Sequence, residues 1–484
     1  MNASPPPLHE TVHARDGTAL AISMSGADAD SPRAAVLLRT PYGRERYHAA
    51  PYSRLIDAGY VFVTADVRGR GDSEGTWRPF VHDGTDGYDL VEWIATQAWC
   101  DGNVGTIGGS YDAMTQWWTA VHQPPHLRCM VPLSVSPLLE SRPLGRANGV
   151  VMPYWLWWLK FLSVLTPDQT AIDWAQLLSA EPPGMARIAG VDDGLWQQYL
   201  DGAVGYGERE WAVDPRQVRV PAFISNGLWD DPKTFGWWQA LQQSPRAQDH
   251  SLLVGAWDHA GNATPRPELG GVDVSLAAID PVEHWLAFLD HWLRDAPAPK
   301  ARIQVCRTGS WQWESPERWP AVSSRTSLQL GGGQWSHDPG NPLWLGGSSD
   351  LAFADPALDP QKWDSRTDVL TLDTAPAEQA QRLTGEPELE LVVTQQQPGT
   401  VVAWLSDIAP DGSGLRFGVW PTAIAHPGGG RARLRLCLAA LHHEVGAGHR
   451  LRISLASSFA PVYAHALQAH GVELDECVLH LLHP

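Results

Sequence analysis

One short segment constrains the fold of this chain more than any other. An apolar run over residues 104–107 ends in Gly108 and Gly109, and Ser110 follows. Residues 111–118 then have a composition that suits the start of a helix. A strand that turns this sharply into a helix needs small residues at the turn, because the backbone there adopts conformations that larger side chains resist. The segment therefore predicts a strand, a tight turn that exposes Ser110, and a helix.

Such a turn is typical of a nucleophile elbow, in which the serine hydroxyl is exposed and the next backbone N–H faces the carbonyl group under attack. The G-x-S-x-G pattern of these elbows is only partly met. Gly108 and Ser110 fit it, whereas Asp112 occupies the position of the second glycine and Ala113 follows. Because Gly-Gly-Ser is also an ordinary turn, the rest of the chain has to decide between the two interpretations.

Short apolar segments alternate with helical patterns on both sides of this turn. Strands are predicted at 34–38 and 60–65 before it and at 130–135 after it, and helical spacing covers residues 88–97. Elements that alternate in this way form a parallel sheet with helices on both faces, so the expected fold class is α/β. The pattern returns later, with strands at 221–225 and 251–255 and a helix at 281–294.

Two changes in composition predict the domain boundaries. Trp, Leu and Pro with helical spacing dominate residues 139–219, which we interpret as a helical cap inserted into the α/β domain. Residues 295–299 have the composition of a linker, and short strands separated by Gly, Pro and Asp follow, as in a β-sandwich or jelly roll. We expect an α/β-hydrolase-like domain formed by residues 1–138 and 220–297, and a C-terminal β domain over 298–484.

The acidic balance of the chain limits its partners. The 484 residues include 54 acidic and 35 basic ones, for a net charge of −19, which argues against nucleic acid or an anionic membrane as a partner. The five cysteines are far apart and form no C-x-x-C pair, so we expect free thiols in a reducing compartment. No signal peptide and no stretch of transmembrane length are apparent. The expected location is the cytoplasm.

A serine nucleophile needs a base, and the base needs a carboxylate that orients it. In the α/β-hydrolase architecture these residues follow the serine in the order Asp or Glu and then His, each after a strand. Asp230 follows the strand predicted at 221–225, and His259 follows the one at 251–255. Taken singly, each would be an ordinary polar loop residue. Together with Ser110, they favour a catalytic triad.

The chain is unusually rich in tryptophan, with 25 residues of this type. Most are expected to fill the core. Some can instead form the walls of a pocket for an apolar or aromatic ligand, because Trp offers a large apolar area at a low cost in conformational entropy. We expect Trp155, Trp157 and Trp158 in the cap, and Trp229 beside Asp230, to line the substrate pocket.

Motifs spread over nearly the whole chain resemble one group of enzymes. They are residues 39–42 (RTPY), 66–75 (DVRGRGDSEG), 98–105 (AWCDGNVG), 109–111 (GSY), 227–230 (GLWD), 255–259 (GAWDH), 405–412 (LSDIAPDG) and 448–452 (GHRLR). In these segments the chain resembles the CocE/NonD hydrolases, which include cocaine esterase and the X-prolyl dipeptidyl peptidases. The resemblance implies a hydrolase domain, a helical cap and a C-terminal jelly roll.

The resemblance also implies a role for each site residue. Ser110 would be the nucleophile, His259 the base and Asp230 its partner. The Tyr42 hydroxyl and the Tyr111 backbone N–H would form the oxyanion hole. A phenol suits this task, because it donates a hydrogen bond to a developing alkoxide while staying neutral near pH 7. Such a mechanism calls for no metal and no cofactor.

The chain departs from the pattern of this group at several positions. The group usually has Gly three residues after the serine, where this chain has Ala113. Members that act on α-amino acid esters bind the substrate ammonium partly through carboxylates two and three residues past the catalytic Asp. Pro232 and Lys233 stand there instead, which argues against such a substrate. The direction of the helix is expected to point Asp112 away from the substrate.

The expected function is a serine hydrolase that cleaves a small-molecule acyl ester or amide. An X-Pro dipeptidyl aminopeptidase acting on short peptides is one alternative, and it would need an acidic anchor such as Glu181, Asp192 or Asp193 for the peptide N-terminus. A pathway-specific acylase or acyltransferase is another. A sugar- or protein-binding jelly-roll protein is the alternative without enzymatic activity. Whether the chain forms a homo-oligomer is left open.

Overall fold

A mixed sheet, parallel at its centre, forms the core of the α/β domain. The central strands are buried along almost their whole length, as unbroken apolar runs between two layers of helices should be. The computed structural model describes residues 6–27, 31–134, 146–164, 172–201, 213–230, 234–344, 359–418, 421–426 and 428–484. The N-terminal elements are β1 (Leu8–His13), β2 (Ala19–Ser25), β3 (Arg33–Thr40), α1 (Ser53–Asp57), β4 (Val61–Asp66), α2 (Asp83–Ala95), β5 (Cys100–Gly109), α3 (Tyr111–Val121) and β6 (Leu127–Leu133).

The cap follows β6 and is helical with one short hairpin. Its hairpin faces the C-terminal domain, because the Asn148 side chain donates to the Ala423 oxygen at 2.9 Å. The Ala464 N–H also donates to the Val151 oxygen at 2.8 Å. The hairpin of the cap is therefore joined to the C-terminal domain by hydrogen bonds. Its described elements are β7 (Arg146–Ala147), β8 (Val150–Val151), α4 (Tyr154–Val164), α5 (Trp174–Leu178), α6 (Met185–Ala189) and α7 (Asp193–Asp201).

The chain returns from the cap to the same sheet. The elements there are β9 (Phe223–Trp229), α8 (Thr234–Leu241), β10 (Ser251–Asp258), β11 (Glu268–Leu269), β12 (Val272–Asp273), α9 (Pro281–Arg294), β13 (Ile303–Arg307) and β14 (Gln312–Glu314). The strand order is β1-β2-β4-β3-β5-β6-β9-β10-β13-β14, and the strands from β4 to β13 are parallel. The α/β domain thus extends past the boundary expected after residue 297, since β13 pairs with β10 and β14 pairs with β13.

Two antiparallel sheets packed face to face form the C-terminal domain. One contains β15, β16, β19, β23 and β26, the other β17, β20, β21, β22 and β25, and alternate residues of both sheets fill the space between them. This arrangement confirms the predicted β domain. Its elements are β15 (Ser324–Leu330), β16 (Gly333–His337), α10 (Gln361–Asp364), β17 (Leu370–Asp373), β18 (Gln381–Gly385), β19 (Glu388–Gln395), β20 (Gly399–Ile408), β21 (Gly414–Arg416), β22 (Thr422–His426), β23 (Gly430–Cys437), β24 (Leu441–Val445), β25 (Arg450–Ala456) and β26 (His470–His483).

The five cysteines form no disulfide, and four of them are buried. The described part of the chain contains no helix that is both long and apolar enough to span a membrane. Within the same residues, no group of three or more His, Cys, Asp or Glu side chains has an arrangement that could hold a metal ion.

Candidate active site

Ser110 lies at the sharp turn between β5 and α3. Its backbone has φ 61° and ψ −126°, a combination that a residue with a side chain adopts only under strain. Two backbone hydrogen bonds hold the turn: Ser110 N–H donates to the Leu133 oxygen at 3.1 Å, and Met114 N–H donates to the Ser110 oxygen at 3.2 Å. The serine side chain thereby lies at the carboxyl end of the sheet, where α/β folds build their sites.

Gly108 explains how this turn accommodates Asp112. Its φ is 149°, and a Cβ atom at this position would lie 2.5 Å from the Cβ of Asp112. Two Cβ atoms cannot share that space, so Gly108 is required because residue 112 has a side chain. The unusual residue of the elbow is thus packed tightly against the strand that leads into it.

Asp230 and His259 follow two neighbouring parallel strands, β9 and β10. The His259 Nδ1 atom lies 2.8 Å from Asp230 Oδ1. A carboxylate at this distance accepts the Nδ1 proton, which leaves Nε2 free of a proton in the neutral ring and able to act as a base. The side chain of Asp230 is 2 % exposed and that of His259 is 14 % exposed. The pair is therefore shielded on the carboxylate side and open on the imidazole side.

Asn262 contacts the Asp230–His259 pair, and the sequence analysis did not predict it. Its Nδ2 donates to Asp230 Oδ2 at 2.8 Å. Its Oδ1 accepts hydrogen bonds from the Ser225 hydroxyl at 3.0 Å and from the Trp257 indole N–H at 3.1 Å. These two donors fix the orientation of the amide, so its N–H must face the carboxylate. In the sequence, the feature that could have indicated this residue is its position three residues after His259.

Tyr42 lies on the loop after β3 and reaches the serine turn. Its hydroxyl lies close enough to the Ser110 side chain and to the Tyr111 backbone N–H to interact with both. The Trp158 indole N–H also donates to this hydroxyl, at 3.3 Å. Burial and the nearby charge of Asp112 raise the pKa of Tyr42 to about 12. The phenol therefore keeps its proton at neutral pH and remains a donor.

The side chain of Tyr111 anchors the start of α3. Its hydroxyl donates to Asp83 Oδ2 at 2.8 Å and accepts the Phe80 N–H at 3.1 Å. Asp83 in turn forms a buried ion pair with Arg39 at 3.3 Å. These contacts hold the Tyr111 backbone N–H beside the Tyr42 hydroxyl, so the two predicted oxyanion donors lie at one point next to Ser110.

A cavity of about 630 Å³ opens over Ser110 and His259. Aromatic side chains from two parts of the chain form much of its wall, the loop after β3 and helix α4 of the cap. A cavity of this size, with aromatic walls and polar groups at several points, suits a small organic molecule. The described lining residues include Tyr42, Arg46, Tyr47, Pro51, Tyr52, Ser110, Asp112, Leu133, Ser134, Trp157, Trp158, Phe161, His259, Asn262 and Ala263.

The four tryptophans expected at the pocket divide into two pairs. Trp157 and Trp158 line the cavity, whereas Trp155 and Trp229 do not. Trp155 instead packs edge-on against Trp158, with ring centroids 5.5 Å apart. Trp229 is buried, and its indole N–H donates to the Arg416 oxygen of the C-terminal domain at 2.9 Å. The expectation for Trp155 and Trp229 is thus corrected, because Trp155 packs against Trp158 and Trp229 is buried against the C-terminal domain.

The expectation for Asp112 is wrong as well. Its side chain does not point away from the site but lies at the cavity, and the residue is 1 % exposed. One carboxylate oxygen accepts the Tyr47 hydroxyl at 2.6 Å, and the other has no hydrogen-bond partner among the residues that the structure describes. Burial raises the pKa of this carboxyl to about 7. The prediction was based on the direction of the helix alone. The absence of a side chain at Gly108 leaves room for the Asp112 side chain to face inward.

The other acidic candidates lie outside the cavity. Glu181, Asp192 and Asp193 are exposed on the cap, and Asp193 faces Arg187 at 3.5 Å. Pro232 and Lys233 lie outside the described residues. Among the described residues of the cavity wall, Asp112 is therefore the one with an acidic side chain.

A strained serine after a central strand, a buried Asp–His pair after two later strands and a parallel sheet define a serine α/β-hydrolase. Comparisons with known proteins agree. The family model of the X-Pro dipeptidyl-peptidase (S15 family) matches residues 16–261, and the model of the X-Pro dipeptidyl-peptidase C-terminal non-catalytic domain matches residues 294–481. The chain belongs to the S15 X-Pro dipeptidyl-peptidase family and is a serine hydrolase.

The relatives include esterases and a peptidase. Cocaine esterase from Rhodococcus sp. (strain MB1 Bresler) is 28 % identical in an alignment of 473 positions. The alignment covers 83 % of this chain and 80 % of the esterase. An α-amino acid ester hydrolase has the same fold, with a TM-score of 0.84 and 20 % identity over 100 % of this chain and 97 % of that one. So does an aminopeptidase from a Thaumarchaeota archaeon, with a TM-score of 0.83 and 19 % identity over 99 % and 98 %.

Proposed function

We propose that this enzyme hydrolyses esters formed by a small organic acid, through an acyl-enzyme on Ser110. The observation that carries the proposal is the meeting of Ser110, the His259–Asp230 pair and the Tyr42 hydroxyl at one cavity with aromatic walls. This arrangement supports the proposal, because acyl transfer needs a nucleophile, a base with its carboxylate and a donor to the oxyanion at one site.

The reaction follows from this arrangement. His259 Nε2 takes the proton of the Ser110 hydroxyl while Oγ attacks the acyl carbon, and Asp230 stabilises the imidazolium ion that forms. The Tyr42 hydroxyl and the Tyr111 N–H donate to the oxygen that becomes negative. His259 then gives its proton to the leaving alcohol, which departs. A water molecule repeats the attack on the acyl-enzyme, with His259 again as the base, and releases the acid.

The cavity favours an ester over an X-Pro peptide. A dipeptidyl peptidase must bind the charged N-terminus of its substrate, and a buried ammonium needs a carboxylate partner. Among the described residues of the wall, Asp112 is the carboxylate. It is 1 % exposed, and burial raises its pKa to about 7, so it offers a substrate ammonium little accessible negative charge. The aromatic side chains of α4 and of the loop after β3 suit an apolar or aromatic acyl group instead.

A single set of rate measurements tests the proposal. p-Nitrophenyl esters of short, long and aromatic acids are compared with Gly-Pro and Ala-Pro p-nitroanilides, and Ser110→Ala serves as the blank. We expect turnover of the esters, little or none of the anilides, and none of either by Ser110→Ala. Preferred cleavage of the anilides would overturn the ester assignment, and an active Ser110→Ala enzyme would overturn the mechanism.

Labelling with a fluorophosphonate provides an independent check. The reagent should attach covalently to Ser110 in the native enzyme, because it reacts with a serine that an adjacent base activates. Ser110→Ala should remain unlabelled while it keeps the thermal stability of the native protein. Labelling at another serine would place the nucleophile elsewhere.

A further inference from the structure

A line of hydrogen bonds connects Asp112 to the loop that carries Tyr42. The Tyr47 hydroxyl donates to Asp112 Oδ2 at 2.6 Å. The Thr40 hydroxyl donates to the Tyr47 oxygen at 3.2 Å, and the Tyr42 backbone N–H donates to the Thr40 oxygen at 3.0 Å. Each hydroxyl gives one hydrogen bond and accepts one, so the line has a single direction and ends at the carboxylate.

The carboxylate at the end of this line is rigidly placed. Asp112 is the second residue of α3 and lies against the backbone of Gly108, and Ser110 between them forms the strained turn. Asp112 is 1 % exposed, so water does not compete with its carboxylate for the Tyr47 hydroxyl. The line therefore joins two separate segments, the serine turn and the loop after β3.

We propose that Asp112 is a positioning residue for the oxyanion hole: through Tyr47 and Thr40 it holds the loop that places the Tyr42 hydroxyl beside Ser110. The inference rests on the proposed function, in which Tyr42 stabilises the tetrahedral intermediate. It also explains why this chain has a carboxylate where the elbow pattern has a glycine. Since a donor displaced by 1 Å loses much of its effect on the transition state, small shifts of the loop have large consequences for the rate.

The proposal predicts which kinetic constant changes. The contact of Tyr42 with the oxyanion forms fully only in the transition state, so its loss lowers kcat and leaves KM nearly unchanged. The oxyanion is common to all esters. The loss should therefore have the same size for acetyl and benzoyl esters, whereas a side chain that bound the acyl group would act on one of them more than on the other.

Four variants test the proposal on p-nitrophenyl acetate and p-nitrophenyl benzoate. Asp112→Ala removes the acceptor, and Tyr47→Phe removes the donor. Each should lower kcat about tenfold or more on both esters, a fraction of the effect of losing an oxyanion donor outright. Asp112→Asn keeps an acceptor oxygen of the same size and should recover most of the rate lost in Asp112→Ala. The double variant should be no slower than either single one, because both break the same line.

Tyr60→Phe is the matched control. The Tyr60 hydroxyl donates to Asp290 at the same distance of 2.6 Å as the Tyr47 hydroxyl to Asp112. The Tyr60 ring is buried, whereas that of Tyr47 is half-buried, and Tyr60 does not line the cavity. Its loss should lower the melting temperature and leave kcat and KM unchanged. If Asp112→Ala does not fold, Tyr47→Phe and Asp112→Asn still decide the question.

Two outcomes overturn the inference. One is an unchanged kcat in Tyr47→Phe, and the other is a loss that appears in KM or differs severalfold between the two esters. Neither outcome contradicts the proposed function, provided that Ser110→Ala is inactive. If Ser110→Ala is active instead, the mechanism fails first, so the two failures are distinguishable.

Discussion

At the scale of single residues, the site depends on groups held in unfavourable states. Ser110 has a positive φ, which costs roughly 1–3 kcal/mol for a residue with a side chain. Asp112 is a carboxyl that burial makes harder to ionise. Tyr42 is a phenol whose proton is hard to remove. Strain and burial of this kind persist because the surrounding hydrogen bonds and packing determine the positions of these residues.

The role of Tyr42 leads to the first prediction at this scale. Tyr42→Phe removes the hydroxyl beside Ser110 and keeps the ring that packs on Tyr111 and Phe161. We expect kcat for p-nitrophenyl esters to fall by about 10²–10³, the usual effect of losing one oxyanion donor, with little change in KM. Stopped-flow kinetics at pH 8 would measure it. An unchanged kcat in this variant would contradict the proposal that the Tyr42 hydroxyl is the second oxyanion donor beside the Tyr111 N–H.

The second prediction at this scale concerns stability rather than rate. The pKa of Asp112 rises from 3.8 to about 7 on folding because the carboxyl is buried. The folded state therefore binds this proton more tightly, and stability decreases as pH rises from about 4 to about 7, where the carboxyl ionises. Asp112→Asn escapes this cost. We expect the variant to gain about 2–4 kcal/mol of unfolding free energy over the native enzyme at pH 8.

Urea denaturation at pH 4 and pH 8 would measure this difference. Most of the gain should be lost at pH 4, where the carboxyl is protonated in the folded state and partly protonated in the unfolded state. An equal gain at the two pH values would show that the effect comes from packing and not from charge.

At the scale of secondary-structure elements, helix α4 of the cap forms the wall opposite the serine turn. Trp157 and Trp158 lie on the cavity side of the helix, and Trp157 stacks on Phe161 with ring centroids 5.6 Å apart. The Trp158 N–H also donates to the Tyr42 hydroxyl. Adjacent residues of one cap helix thus line the cavity and contact Tyr42, the proposed oxyanion donor.

The stacked pair predicts a change in selectivity. Trp157→Leu should raise KM for the benzoyl ester about 3–10-fold and affect the acetyl ester less, because one aromatic contact contributes about 0.5–1.5 kcal/mol. Trp155→Leu is the control, since Trp155 lies on the same helix behind the wall. Equal effects of the two substitutions would show that α4 acts through its stability and not through contact with the acyl group.

At the scale of the whole molecule, the C-terminal domain is joined to the edge of the catalytic sheet. Glu314 of β14 pairs with Arg307 of β13 at 2.6 Å and lies 3.0 Å from His442 Nε2 on β24. The backbone of Thr308 also forms hydrogen bonds with the backbone of His442 and Glu444 beside these contacts. A continuous apolar core also includes residues of the sheet, the cap and the C-terminal domain. The three parts therefore support one another around the site.

The Glu314 contacts predict the stability of the enzyme in acid. The Arg307 guanidinium lowers the pKa of Glu314 from 4.5 to about 2. The stabilisation is therefore complete above about pH 4.5 and is lost as pH falls toward 2. We expect Glu314→Gln to lose about 1–3 kcal/mol at pH 7, discounted for partial exposure. The gap from the native enzyme should narrow between pH 5 and pH 2.

Thermal unfolding followed by circular dichroism would measure this gap. Glu317→Gln is the control, because Glu317 is exposed three residues further along the chain. If the gap between the native enzyme and Glu314→Gln stays constant down to pH 2, the ion pair does not carry the effect.

Local patterns in the sequence determined the α/β class, the C-terminal β domain and the order of Ser110, Asp230 and His259 along the chain. Apolar runs, glycine turns and the residues directly after a strand are local features, and parallel strands bring such residues to one edge of a sheet. Helix α9 was predicted with its observed bounds because its period and its ends are both visible in the chain. The resemblance to the CocE/NonD hydrolases added Tyr42, for which no local pattern exists.

Only the tertiary structure decided the rest. It showed that Asn262 orients Asp230, that Asp112 turns inward beside Gly108 to accept the Tyr47 hydroxyl, and that Trp157 rather than Trp155 faces the cavity. Each of these results depends on the direction of a side chain at a contact between elements. A period of 3.6 or 2 residues gives the buried face of an element but not the neighbour it meets, because that neighbour comes from a distant part of the chain.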